Sequence, residues 1–211
     1  MNVQPRALQR LRDTWRRIAS DYPAYDLLLP GAPAFICQAE ACSAHCCRTF
    51  SVPVGEADVR RMQTATGLQP VDFLESEDGK PIALPLAEPY LLARSGGRCR
   101  LLGDDLACRH YDGRPTACRV YPHQVLWVSE QSARPVYPGI GAAQEAVSAT
   151  LAGTGDAVAL LLRHLECPGF TGEPIGERQW ATLLLETALL QLGDPGSTDW
   201  PGLQRSRAAK V

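Results

Sequence analysis

The sequence predicts an α+β protein, predominantly helical, with a small β-ribbon beside a cysteine-ligated metal centre. Three observations carry that expectation. Apolar residues recur at helical spacing near the start of the chain and again over its last third. Between Tyr90 and Cys108, short β-prone runs alternate with glycine and aspartate turns. Eight cysteines occur in 211 residues, and four of them, Cys37, Cys42, Cys46 and Cys47, lie almost together.

In chain order, residues 5–20 read as an amphipathic helix. Leu8, Leu11, Trp15 and Ile18 share one face, while Arg6, Arg10, Arg12, Arg16 and Arg17 form a solvated basic flank. Pro23, Pro30 and Pro33 then lead extended chain into the cysteines. From Glu56 to Met62, acids come early and arginines later, with Gly67 at the end, which fits a short helix. Another turn or two follows at Pro70 to Leu74, and Ser76 to Pro89 reads as a surface loop.

Tyr90 to Ala93 and Arg98 to Leu102 read as short strands around Ser95, Gly96 and Gly97. A second turn at Gly103, Asp104 and Asp105 sets Cys99 and Cys108 on neighbouring strands. Pro115 opens a short helix carrying Cys118, and Val125 to Val128 is a strand. Helices are expected over 142–151, 156–165 and 177–192, the last presenting Trp180, Leu183, Leu184 and Leu190 to the core.

The chain is long enough to bury a core without covalent staples. A net charge of −2 and a pI near 6.1 argue against nucleic acid as a partner. No apolar run approaches the roughly 20 residues that span a bilayer. No secretion signal is evident, so the expected compartment is the cytoplasm, where thiols stay reduced and clustered cysteines bind metal or react rather than cross-link.

Thiolates are soft and anionic, and a set of them selects zinc, copper(I) or iron–sulfur centres. All eight, Cys37, Cys42, Cys46, Cys47, Cys99, Cys108, Cys118 and Cys167, are candidate metal ligands. On an extended backbone Cys46 and Cys47 would point to opposite sides, favouring two adjacent centres or one large polynuclear one. The spacings match neither zinc knuckles nor plant-type ferredoxins, leaving the two metals even. Arg114 and Arg119 bracket Cys118 and are read as neighbours that stabilise the negative centre through hydrogen bonds, a clamp for an acidic substrate being the other reading. His45, His110 and His123 are read as ordinary polar or supporting residues, and His164 as a partner of a helix C-terminus. No catalytic triad or carboxylate pair can be extracted.

Several segments together resemble a known family. They are Phe35 and Cys37 with Cys42, Cys46-Cys47-Arg48; Gly97-Arg98-Cys99-Arg100-Leu101-Leu102; Cys108 through Arg114-Pro115-Thr116-Ala117-Cys118-Arg119-Val120-Tyr121-Pro122; and Glu166-Cys167-Pro168-Gly169. The chain resembles the YkgJ-type CxxCxxxCC cysteine-cluster family, described as zinc- or iron-chelating domains. The first gap is four residues here, where the family has two. The resemblance covers about residues 35–170 and implies metal binding through cysteines. A similar cluster in the longer flagellin lysine N-methylase is associated with an iron–sulfur centre, which tips the expected cofactor toward an iron–sulfur cluster or iron, with zinc the alternative. Methyl transfer is not carried over.

The expected organisation is an N-terminal helix and linker (1–34), a cysteine-cluster metal-binding domain (35–170), a C-terminal helix packed on the same domain (171–192) and a flexible tail (193–211). The expected role is metal binding in electron transfer, redox or accessory work. The alternatives are a zinc-stabilised interaction module and an iron-dependent enzyme acting on a protein or small molecule. Expected partners are metal ions, then a protein.

Overall fold

The computed structural model describes residues 3–86, 88–139 and 141–192, so the predicted tail at 193–211 lies outside the described residues. The elements run α1 (Pro5–Ile18), β1 (Tyr25–Leu27), β2 (Pro33–Phe35), α2 (His45–Thr49), β3 (Pro53–Val54), α3 (Glu56–Thr66), α4 (Pro70–Phe73), β4 (Ser76–Glu77) and β5 (Lys80–Pro81). They continue with β6 (Tyr90–Leu91), β7 (Arg94–Ser95), β8 (Arg98–Cys99), α5 (Thr116–Val120), β9 (His123–Ser129), α6 (Ala143–Ala152), β10 (Ala157–His164), β11 (Phe170–Pro174) and α7 (Glu177–Gln191). The chain divides into two compact units: unit 1 is Met1–Cys37 with Val120–Val211, and unit 2 is Gln38–Arg119.

The predominantly helical expectation is overturned. Helix accounts for 36% and strand for 23%, with several small sheets in place of one ribbon. The main cause is residues 156–165, expected as a helix and found as β10. This strand is the centre of a three-stranded antiparallel sheet, with β1 on one side and β9 on the other. Val158, Ala159, Leu160, Leu161 and Leu162 are all buried, so both faces of the strand are covered and no alternation marks it.

In unit 1, α1 and α6 pack on β10, and α7 packs on β9. Pro5 sits in the first turn of α1, where a missing N–H costs nothing. Trp180 is fully buried and donates its indole N–H to Leu28 O at 2.8 Å. The Gln191 side chain pairs with both backbone polar groups of Val125 on β9. The arginines of α1 are not simply solvated. Arg6 donates to Ala152 O at the end of α6, Arg10 to Glu130, Thr154 O and Gly155 O, and Arg17 to Glu130 O. Positive charge thus meets the carbonyl end of α6.

In unit 2 a smaller core gathers Val54, Val59, Met62, Phe73, Leu74, Leu92, Leu101 and Leu102. α3 ends on Gly67 at φ 71°, a left-handed position that suits glycine. β3 pairs with β6, and the expected loop after Ser76 is a β4–β5 hairpin. Among the described residues no helix is long and apolar enough to cross a membrane.

Candidate metal centre

Four predicted ligands pack on the unit 2 core. Cys99 is buried within it, and Cys47, Cys108 and Cys118 lie against it. Local backbone chemistry presents each. A tight turn with Ser43 and Ala44 at positive φ feeds α2, closed by a 2.9 Å bond from Ala44 N to Ala39 O. Cys46 and Cys47 therefore stand on helix, not on extended chain. Successive side chains diverge by about 100° there, and the two sulfurs approach to 4.0 Å. The expected opposite orientation of the pair is corrected by that helical turn.

Arg94 fixes this segment against the next thiol. Its guanidinium donates to Arg48 O, to Phe50 O at 2.7 Å and to Gly97 O. Gly97 belongs to the turn joining β7 and β8, whose central residues Gly96 and Gly97 both have positive φ. A two-residue hairpin of that hand needs such residues, and it delivers Cys99 opposite Arg94. An isolated bridge between Leu102 and Cys108 places the next sulfur, and α5 carries Cys118.

These thiols feel one another. Cys46 is lowered to about 6, chiefly because Cys47 donates it a hydrogen bond, burial opposing. Cys47 is raised for the converse reason, then by burial and by the charges of Cys46, Cys99 and Cys118. Cys118 is raised by burial and then by Cys99 and Cys108, with the Arg114 guanidinium pulling the other way. Burial raises Cys99, with Cys108 adding to it and Arg94 opposing. Five sulfurs, on Cys46, Cys47, Cys99, Cys108 and Cys118, thus share one electrostatic neighbourhood.

Nevertheless, among the described residues no three His, Cys, Asp or Glu side chains close into a group that could hold an ion. The expected finished centre beside a ribbon is corrected accordingly. Cys99 is buried and Cys47, Cys108 and Cys118 are partly buried against an apolar core, and neighbouring thiolate charge raises the pKa of Cys47, Cys99 and Cys118. A thiophilic cation relieves both penalties at once, so the donor set fits a soft metal.

Of the other predicted ligands, Cys42 lies in unit 2, its sulfur 3.7 Å from Ala39 O. Cys37 and Cys167 belong to unit 1. There β2 and β11 pair through Phe35 and Phe170, and Ile36 N donates to Gly169 O at 2.7 Å. A Cβ on Gly169 would stand 2.6 Å from Ile36 O, which is why the two arms close only over glycine. No disulfide joins the cysteines.

Arg114 lies over the Tyr111 ring, 3.5 Å from its centroid, and donates to Tyr111 O at 2.9 Å and Cys118 O at 3.3 Å. Arg119 is half-buried, its pKa lowered by burial and then by the charges of Arg61 and Arg114. His45 faces the Phe50 ring and stands 3.3 Å from the Thr49 hydroxyl. His164 is not at a helix end; it lies on β10 against the Tyr25 and Tyr121 rings. His123 is buried edge-on to Phe35 and Phe170, with neither ring nitrogen partnered, and burial lowers it to about 4.

Sequence reasoning missed Arg94, Asp58 and Arg61. Asp58 and Arg61, three apart on α3, look like a surface ion pair. Instead Asp58 is buried and accepts from Thr116 across the unit. No local signal announces such a long-range bond.

The clustered thiols of unit 2 define a cysteine-rich domain. Residues 36–138 match the CxxCxxCC family, described as a putative zinc- or iron-chelating domain. That segment is similar to this family, and chelation of zinc or iron is the property the family's description names. No curated protein and no solved structure matches the chain.

Proposed function

We propose that this protein holds an iron–sulfur cluster, or another iron centre, through the thiolates of Cys46, Cys47, Cys99, Cys108 and Cys118, in an electron-transfer or redox role. The observation that supports this reading is the mutual field of five sulfurs packed within one unit. A lone zinc ion takes four protein ligands in a structural site, and five thiols within one electrostatic neighbourhood suit a larger centre. Such a centre supplies one-electron chemistry. The chain's own groups do the rest: Arg94 and Arg114 offset thiolate charge, and the apolar core of unit 2 buries Cys99 and partly covers Cys47, Cys108 and Cys118. A reducing compartment, the cytoplasm, is where these thiols remain available.

Purification without oxygen, followed by elemental analysis and visible spectroscopy, tests this. The expected result is brown protein with iron and acid-labile sulfide. A colourless protein containing stoichiometric zinc would instead favour the zinc-stabilised interaction module, and protein without either metal would defeat both readings. Substituting Cys118→Ser should lower metal content and bleach the visible bands.

A further inference from the structure

We infer that Asp58 is a positioning residue for the centre: from α3 it holds the one-turn helix that carries Cys118 in the place where its sulfur can reach metal. The inference rests on the proposed ligation by Cys118.

Asp58 precedes Thr116 by 58 residues, and its side chain is 5% exposed. Its carboxylate accepts the Thr116 backbone N–H at 2.9 Å and the Thr116 hydroxyl at 2.8 Å, while pairing with Arg61. Arg61 reaches on to the Thr116 hydroxyl at 3.2 Å and to Arg114 O at 3.4 Å. A buried carboxylate is retained only where its lone pairs are used, and three donors use them here.

α5 needs this external hold. A helix of one turn does not sustain itself, because nucleation costs more than so few bonds return. Its first N–H groups have no partner within the helix, and Pro115 just before it has none to give. Thr116, which could cap the turn from within, directs its hydroxyl to Asp58 instead. The result is a clamp of two holds on the Cys118 turn: Asp58 fixes Thr116, two residues before, and Arg114 donates to the Cys118 carbonyl. Asp58 bonds Thr116 and Arg61 in this clamp and acts on metal through the placement of Cys118.

The test uses the full chain with Zn(II) as probe, competed against a chromophoric chelator, and Co(II) as a spectroscopic reporter of thiolate ligation. Asp58→Ala should weaken Zn(II) binding about 10- to 100-fold, the usual cost of losing a group that orients a ligand. It should also remove one thiolate's share of the Co(II)–sulfur absorption. Asp58→Asn, which keeps an acceptor but not the charge, should fall between. In a Cys118→Ser background, Asp58→Ala should cost nothing further. Losses that multiply, or a Co(II) spectrum unchanged by Asp58→Ala, overturn the inference. Cys118→Ser at full affinity overturns instead the ligand assignment beneath it. Should Asp58→Ala fail to fold, Thr116→Val removes one arm of the clamp while keeping the Asp58–Arg61 pair, and runs through the same cycle.

Discussion

Cys46 shows how far one contact moves a residue's chemistry. The neighbouring thiol lowers its pKa by hydrogen bonding to the thiolate, which favours ionisation of Cys46 over that of Cys47. Alkylation of metal-stripped protein, followed by peptide mass spectrometry, should show Cys46 reacting at lower pH than an ordinary thiol and Cys47 lagging far behind. Cys47→Ala should move the Cys46 midpoint upward by removing the donor. His123 behaves in the opposite sense. An unfolded chain protonates this imidazole near 6.5, the fold only near 4, so between those values the unfolded state binds more protons. Stability therefore falls as pH drops from about 6.5 to about 4, by on the order of 3 kcal/mol for a shift of that size. His123→Phe, similar in shape and suited to its place between Phe35 and Phe170, should flatten that acid limb in thermal unfolding.

At the level of elements, legibility followed the range of the interaction. α1, α3, α4 and α7 announce themselves through local signals: Pro5 and Pro70 at starts, Gly67 at an end, and apolar spacing around Trp180. β10 did not. Ala157 to Leu162 is one unbroken apolar run, and only the presence of β1 and β9 at its edges makes it a strand. β1, β2 and β11 are short, and their pairings join residues far apart in sequence, beyond the reach of any local pattern. A side chain completes the sheet where β1 has ended: the Thr150 hydroxyl on α6 accepts from the buried Ala159 N–H at 3.0 Å while donating to Ala146 O. Thr150→Val should strand that N–H and cost about 1–3 kcal/mol, read as a lower denaturant midpoint with unchanged slope. Thr150→Ser should recover most of it.

At the scale of the whole chain, the cysteine-bearing unit is an insertion in the sequence of the other, and the eight thiols were visible in the sequence while their division was not. Cys37 and Cys167 fall to unit 1 because β2 and β11 pair, a fact of topology. Trp15, Trp127 and Trp180, in contrast, all report on unit 1. Metal removal by a chelator should therefore raise hydrogen exchange over residues 38–119 while the fluorescence of these tryptophans changes little; a fluorescence collapse of equal size would show that the metal supports both units.

The pairing of Tyr25–Leu27 with Leu162–His164 carries a consequence for synthesis. On a ribosome the N-terminal strand emerges long before its mate exists, so the sheet waits until residues 157–164 have been made. Gln38–Arg119 is complete much earlier and packs among its own residues. Its sulfurs are then outside the exit tunnel while the sheet is still unmade, so under the proposed ligation they are open to metal before unit 1 has folded.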